Sequence, residues 1–220
     1  MRVRALGFSE RRALLDAELE RLAASLDGVV FDVGGRGVRR GHFVPPKDRC
    51  KRWVVLNLDA GAGPDVVADA NALPLRDAAA DWVLCLETLQ YVERPEAVMA
   101  EFVRVLGLNG RLVLSIPFLH RADTPADRYR LTAAGLEALA ALSGLQVITL
   151  SAQGFFFTTL ANFLRQVAAH IRRRPARAAA AAIVIPLTAC LRRLDTLAAV
   201  RRSRLLSSFT TGFLLVARKR

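Results

Sequence analysis

The sequence predicts an α/β fold with a mostly parallel sheet, and two observations lead to this prediction. Short apolar runs alternate with stretches of helical spacing, and each of the first runs stops at polar or glycine-rich residues. Such runs are typical of parallel strands, which are buried on both faces. The chain also has 220 residues, of which 53% are hydrophobic, with only 9 prolines and 14 glycines. This composition indicates one ordered domain with a full core.

Six apolar runs are predicted to be strands. They cover residues 29–31, 53–56, 81–86, 111–116, 145–150 and 209–217. Apolar spacing predicts a helix over 95–106, and Thr132 is placed to cap a second helix that ends near Leu142. Because open α/β sheets bind ligands at the carboxyl ends of their strands, polar residues at those ends are candidate site residues.

Charge divides the chain unevenly. Residues 1–154 hold 19 basic and 19 acidic residues, whereas residues 155–220 hold 13 basic residues and one acid, which accounts for the net charge of +12. We therefore predict four segments: an N-terminal helical segment at 1–27, a core at 28–154, a basic apolar helical insertion at 155–208, and a last strand with a basic tail at 209–220.

The sequence lacks residues that several classes of protein require, and these classes are therefore excluded. The only lysines, Lys47, Lys51 and Lys219, follow no P-loop glycine pattern. Neither Tyr91 nor Tyr129 has the lysine four residues later that short-chain dehydrogenases use. Three widely spaced cysteines predict neither a disulfide framework nor a metal site. The N-terminus lacks the continuous apolar stretch of a signal peptide, so we expect a cytoplasmic protein.

Two motifs at predicted strand ends indicate a nucleoside-like ligand. Residues 32–37 read Asp-Val-Gly-Gly-Arg-Gly, and glycines allow a tight turn and a close approach to a ligand. An equal alternative is a tight strand-to-helix turn that binds nothing. Asp59 ends the next strand, where a carboxylate can accept both hydroxyls of a ribose. Its alternative is an exposed loop acid.

Further motifs between Val29 and Val147 strengthen this interpretation by their order and spacing. The chain reads Phe-Asp-Val-Gly-Gly-x-Gly, Leu-Asp, Val-Val-Ala-Asp-Ala-x-x-Leu-Pro-Leu, Asp-Trp-Val-Leu-Cys-Leu-Glu-Thr-Leu-Gln-Tyr-Val and Glu-Phe-x-Arg-Val-Leu-x-x-x-Gly-Arg-Leu-Val-Leu-Ser-Ile-Pro-Phe. In these motifs it resembles the class I S-adenosylmethionine-dependent methyltransferases, in the bacterial type 11 kind.

The resemblance implies a fold, a cofactor and a cofactor site. The fold would be a three-layer, Rossmann-like arrangement whose sheet has seven strands, mostly parallel with the last antiparallel, and a helical insertion before that last strand. The cofactor would be S-adenosylmethionine, with no metal. The implied cofactor-binding residues are Gly34, Gly35 and Gly37 at the methionine end, Asp59 at the ribose, Asp69 and Ala70 at the adenine, and the strand-end acids Asp32 and Glu87.

The chemistry of the implied reaction asks little of the protein. A sulfonium methyl group is already electrophilic, so the site must mainly align an acceptor and accommodate its proton. Candidate acid–base residues follow the strand at 111–116, namely His120, Asp123, Asp127 and Tyr129. A simple loop contact is the alternative for His120. We expect a small or lipid-linked acceptor, whose identity the sequence does not give.

The basic insertion at 155–208 indicates a partner. Ten arginines flank the apolar stretches 154–164 and 178–191, a pattern that can bind an anionic membrane surface, here the inner face. A lid over the substrate end or a homodimer face are equal alternatives. Nucleic acid is disfavoured because no recognition motif or aromatic array accompanies the charge. The 14-residue uncharged run is too short to cross a bilayer alone.

A second functional hypothesis follows from the glycine turn, which is one residue shorter than the family pattern. The chain would then be a non-catalytic relative that binds a nucleoside or no ligand. It would act as a membrane-surface or partner-binding module.

Overall fold

The computed structural model describes residues 9–37 and 41–220, so the first eight residues of the predicted N-terminal helical segment lie outside the described part. The strands are β1 Val29–Val33, β2 Arg52–Asn57, β3 Val66–Val67, β4 Ala80–Leu86, β5 Leu106–Pro117, β6 Leu145–Ala152 and β7 Gly212–Lys219. The helices are α1 Glu10–Ala23, α2 Pro95–Val105, α3 Ala133–Leu142, α4 Phe156–Ala169, α5 Arg174–Leu194 and α6 Ala198–Arg202.

The seven strands form one sheet in the order β3-β2-β1-β4-β5-β7-β6. The first five strands in sequence pair in parallel, and β7 pairs antiparallel with both β5 and β6. This arrangement confirms the predicted Rossmann-like class, with its antiparallel last strand. Three helices, α4 to α6, stand between β6 and β7, where the helical insertion was expected.

Helices cover both faces of the sheet and give the fold its three layers. On one face, Phe102 of α2 and Leu136 of α3 are fully or almost fully buried. On the other face, Leu15 and Leu19 of α1 pack with strand residues such as Leu84. The N-terminal helix is therefore part of the core, since its apolar side closes the second face.

Strand boundaries differ from the sequence prediction in three places. The two-residue strand β3 was missed because it is too short to give a pattern. β5 begins at Leu106 rather than at 111, since the chain passes from α2 straight into the strand, where Leu106 pairs with Ala80 across a bulge. β7 covers 212–219 rather than 209–217. The predicted Thr132 cap is confirmed, since its side chain accepts a hydrogen bond from the Gly135 amide at 3.1 Å.

Candidate functional site

A cavity of about 760 Å³ lies at the carboxyl ends of β1, β2 and β4, and we call it the strand-end cavity. In the sheet, β1 stands between β2 and β4, so the connections reverse direction at this point, which is where doubly wound sheets bind ligands. Its volume suits a ligand of nucleoside size. The lining includes Gly34, Arg36, Asn57, Leu58, Asp69, Ala70, Asn71, Glu87, Thr88 and Tyr91.

The glycine turn after β1 forms one wall of this cavity. Gly34 has a φ of +77°, and a Cβ there would lie 2.0 Å from the Thr88 hydroxyl oxygen. A Cβ on Gly37 would lie 2.3 Å from the carbonyl oxygen of Gly63. The Asn57 side-chain amide donates to the carbonyl of Gly35 at 2.7 Å. The turn therefore needs glycine at two positions, and Asn57, which sequence reasoning missed, holds it.

The two predicted ligand-binding aspartates sit differently. Asp69 lines the cavity, and its Oδ1 accepts from the backbone and side-chain amides of Asn71 at 2.9 and 2.8 Å. Asp59 follows the lining residue Leu58, is exposed, and accepts from the Gly61 amide at 2.9 Å through Oδ1. In both residues these hydrogen bonds use Oδ1, and Oδ2 can accept from a ligand. Asp32, half-buried within β1, precedes the lining residue Val33.

Glu87 occupies the end of β4 in a buried and backbone-strained position. Its φ is +57°, a region that non-glycine residues rarely adopt. Its backbone amide donates to the Ser115 hydroxyl at 3.1 Å, and that hydroxyl donates back to Oε1 at 3.0 Å. Oε2 forms an ion pair with Arg11 of α1, also buried. The structure thus places Glu87 at the predicted site and adds a partner that the sequence did not indicate.

A second cavity, of about 300 Å³, adjoins the first, and we call it the polar chamber. Four residues line both cavities: Glu87, Tyr91, Arg121 and Asp123. The chamber also has arginines from two helices in its wall, Arg11 and Arg12 from α1 and Arg165 from α4. Burial lowers the pKa of Arg11 to about 10, which leaves it charged at neutral pH. Each of the three arginines pairs with a carboxylate: Arg11 with Glu87, Arg12 with Asp16 and Arg165 with Glu10. The chamber is therefore a polar space of paired charges beside the strand-end cavity.

A third cavity, of about 810 Å³, continues from the chamber, and we call it the apolar groove. It shares His120, Arg121, Gln166 and His170 with the chamber. The rest of its lining is apolar: Phe118, Leu119, Phe163, Val167 and Ile171. Arg121 lines all three cavities. The site is thus a series that passes from a nucleoside-sized cavity, through a polar chamber, to an apolar surface groove.

His120 stands where the chamber meets the groove. Its side chain is only 7% exposed, its Nδ1 lies 3.2 Å from the Gln166 amide nitrogen, and its Nε2 lies 3.8 Å from Asp123. Burial, and then the charge of Arg11, lower the pKa of His120 to about 4. The imidazole is therefore neutral at pH 7 and faces a space that could hold an acceptor.

Asp127 and Tyr129 stabilise the loop that carries His120. The Asp127 side chain is buried and paired with Arg130, and this pairing lowers the pKa of Asp127. The Tyr129 hydroxyl donates to the carbonyl of Glu93 at 2.8 Å. Because these groups are engaged with the loop and its neighbours, their placement favours a positioning role. A direct part in acid–base chemistry stays a prediction.

The low pKa of His120 makes stability fall in mild acid. In the unfolded chain this histidine has a pKa near 6.5, so below that pH the unfolded state binds more protons than the folded one. As the pH falls from 6.5 to 4, the free energy of unfolding should therefore decrease by up to about 3 kcal/mol because of this residue. Urea unfolding from pH 7.5 to 4.5 should show a steeper loss for the native protein than for His120→Asn. Parallel curves would show that His120 is not desolvated.

Helix α1 also connects the site to the insertion. The buried carboxylate of Glu10 pairs with Arg165 of α4 at 2.7 Å and with Arg192 of α5 at 3.0 Å. Sequence reasoning missed Glu10 and Arg11 because their partners lie far away in the chain. The nearest signal was a pair of charged residues at the start of a helix whose later residues are core leucines.

Comparisons with known proteins agree with this fold. Residues 48–114 match the family model described as a methyltransferase domain. The search of curated proteins gave no match. Similar solved structures include a geranyl diphosphate C-methyltransferase from Streptomyces coelicolor A3(2), in complex with geranyl diphosphate and S-adenosyl-L-homocysteine. Its TM-score is 0.60 at 16% identity, over 94% of this chain and 78% of that one.

Two further structures share the fold. A SAM dependent methyltransferase from Archaeoglobus fulgidus has a TM-score of 0.58 at 14% identity, over 94% of each chain. The [4+2]-cyclase SpnF has a TM-score of 0.60 at 19% identity, over 93% of this chain and 81% of that one. The chain thus matches the methyltransferase domain family over residues 48–114, and it shares the fold of these solved structures.

Proposed function

We propose that the protein transfers a methyl group from S-adenosylmethionine to a small or lipid-linked acceptor. The observation that carries this proposal is the strand-end cavity, which adjoins the polar chamber through four shared residues. A cofactor in the first space would therefore lie next to an acceptor in the second. Methyl transfer requires this proximity above all, because alignment supplies much of the rate enhancement.

The residues of the cavity fit the proposed cofactor. The glycine turn leaves room where a Cβ on Gly34 or Gly37 would clash with neighbouring atoms. The carboxylate of Asp69 can accept from the adenine amine, and that of Asp59 can accept from the ribose hydroxyls. When bound, the cofactor supplies an electrophilic methyl group. The chain's own residues would bind it and orient it toward the chamber.

The chamber and the groove suggest how the acceptor is held. The arginines in the chamber wall pair with carboxylates, but a guanidinium has several N–H donors, so the same residues can also donate to an anionic group. The neutral imidazole of His120 can accept a proton. The groove offers apolar side chains to a hydrocarbon chain, and two of them, Phe163 and Val167, are 42% and 71% exposed. These features favour the lipid-linked form of the acceptor. The neighbour crystallised with geranyl diphosphate combines an apolar chain with an anionic head in its own ligand.

The non-catalytic alternative also has an observation in its favour. One of the similar structures is a [4+2]-cyclase by name, so this fold is not restricted to methyl transfer. In the alternative, the strand-end cavity binds a nucleoside or stays empty, and the insertion carries the function. Cofactor binding separates the two, since a protein that cannot bind the cofactor cannot transfer its methyl group.

Substitution of the two aspartates should weaken cofactor binding. We expect Asp59→Ala and Asp69→Ala each to cost about 1–3 kcal/mol of affinity for S-adenosylhomocysteine, through the loss of charge-assisted hydrogen bonds. Isothermal titration calorimetry measures this directly. Asp48→Ala is the matched control, since Asp48 is exposed in a short 3₁₀ turn before β2.

Two results would contradict different parts of this account. If the native protein gives no binding signal, the proposed function fails. If the native protein binds and an aspartate variant binds equally well, only the role of that aspartate is removed.

A further inference from the structure

Helix α5 presents an apolar face that the described part of the chain leaves uncovered. The buried residues Ala181 and Thr188 share one side of the helix, and Ala181 packs with Ala168 of α4. On the opposite side, exposed apolar residues recur at helical spacing. This outer face consists of Ala179, Ile183, Pro186, Leu187 and Cys190. Ile183 is 68% exposed and Leu187 is 43% exposed, which is unusual for large apolar side chains this close together.

The charge around this face is almost purely positive, and the structure shows why. Asp195 is the only acid after residue 154, and it is buried, where it accepts from three backbone amides at the start of α4. It therefore adds no negative charge to the surface of the insertion. The exposed arginines stand near both ends of the uncharged stretch: Arg172, Arg173 and Arg174 before it, and Arg192, Arg193, Arg201, Arg202 and Arg204 after it.

We propose that the outer face of α5 binds the surface of an anionic lipid bilayer, with the helix lying in the plane of the interface. An apolar helix face enters the boundary of the acyl chains, and basic residues at its ends pair with anionic headgroups. The proposal does not depend on the reaction that the site performs. It assigns the insertion to binding at a membrane surface. In the sequence, a lid and a dimer face were equal alternatives to this role.

The structure favours binding at a bilayer surface over two alternatives, a helix α5 that spans the membrane and a dimer formed through the outer face. The 14-residue uncharged run was expected to be too short to cross a bilayer, but helix α5 extends beyond it to 21 residues and is long and apolar enough to cross a membrane by length and composition. However, Arg192 within it is tied to the buried Glu10 of α1, which holds the helix against the folded core. A dimer through the outer face would bring the arginine clusters of two copies close together. An anionic bilayer instead complements both the apolar face and the charge.

The test is flotation of the full chain with vesicles of phosphatidylglycerol and phosphatidylcholine, or of phosphatidylcholine alone, at low salt. We expect binding to the mixed vesicles only. The triple variant Arg172→Gln, Arg173→Gln, Arg174→Gln should lower the partition coefficient about 100-fold, since each basic residue contributes roughly fivefold. The control triple Lys47→Gln, Lys51→Gln, Arg76→Gln removes the same charge from exposed positions outside the insertion. This variant should bind almost as the native protein does.

A second pair of variants tests the apolar face itself. Ile183→Asn with Leu187→Asn should reduce binding at least tenfold, whereas Leu108→Asn with Leu142→Asn, which replaces exposed leucines elsewhere, should not. Circular dichroism verifies that all variants fold. The proposal is overturned if the native protein ignores the mixed vesicles, or if each test variant binds like its control. Resistance of the bound protein to alkaline carbonate extraction would also overturn it, in favour of a spanning helix.

Discussion

Arg11→Met is expected to lower the free energy of unfolding by about 3–5 kcal/mol. Arg11 and Glu87 form an ion pair in which both side chains are about one-tenth exposed. Removing the guanidinium leaves the Glu87 carboxylate buried without its cationic partner, at a position where the strained backbone already fixes it. Urea unfolding at pH 7, followed by circular dichroism, measures the change.

A second substitution should recover much of this loss. Arg11→Met combined with Glu87→Gln removes both charges, and the amide can still accept from Ser115, so the double variant should be clearly more stable than Arg11→Met alone. The matched control is Arg128→Met, because Arg128 pairs with Glu93 at 3.1 Å where both side chains are exposed. That loss should stay below about 1 kcal/mol. If Arg11→Met and Arg128→Met behave alike, the buried pair does not stabilise the fold as described.

Asp195→Ala is expected to lower the free energy of unfolding by about 2–4 kcal/mol. The carboxylate accepts from the amides of Phe155, Phe157 and Thr158 at 2.9, 3.1 and 2.8 Å. These amides lie at the start of α4, where no turn precedes them to supply acceptors. Their loss should loosen α4, and with it the walls of the chamber and groove, which hydrogen exchange of the α4 amides would detect.

Thr132→Ala provides the comparison for this prediction. The Thr132 hydroxyl is a neutral cap that accepts from one amide of α3, so its removal should cost only about 1 kcal/mol. Asp195→Asn keeps one acceptor oxygen and should fall between the two. If Asp195→Ala lowers the free energy of unfolding no more than Thr132→Ala does, the three hydrogen bonds of Asp195 do not stabilise the start of α4 as described.

Much of the fold was open to sequence reasoning because burial on both faces leaves a clear pattern. The residues 53–56 and 82–86 are all apolar, and both runs form central strands of the parallel part of the sheet. The strand β3 was not predicted because its two residues lie at the edge of the sheet, where Val67 is 57% exposed. An apolar sequence pattern predicts a strand only where the strand is buried.

The candidate site was predictable where it follows a predicted strand end or a family motif. Gly34 and Glu87 follow predicted strands, and a residue directly after a parallel strand must lie at one edge of the sheet. Asp69 was found through the family resemblance, because the strand before it was not predicted. Arg11 and Asn57 were missed, since their roles depend on contacts between distant parts of the chain. Asp127 shows the opposite case, because its position suggested chemistry, while its bond to Arg130 in the structure favours a positioning role.

A crystal structure of the protein with S-adenosylhomocysteine would test the cofactor site most directly. We expect the ligand to lie in the strand-end cavity, with its purine beside Asp69 and Ala70, its ribose at Asp59 and its amino acid end at the glycine turn. Its sulfur should point toward the polar chamber. A purine bound elsewhere, or a sulfur directed away from the chamber, would contradict both the cofactor site and the proposed transfer.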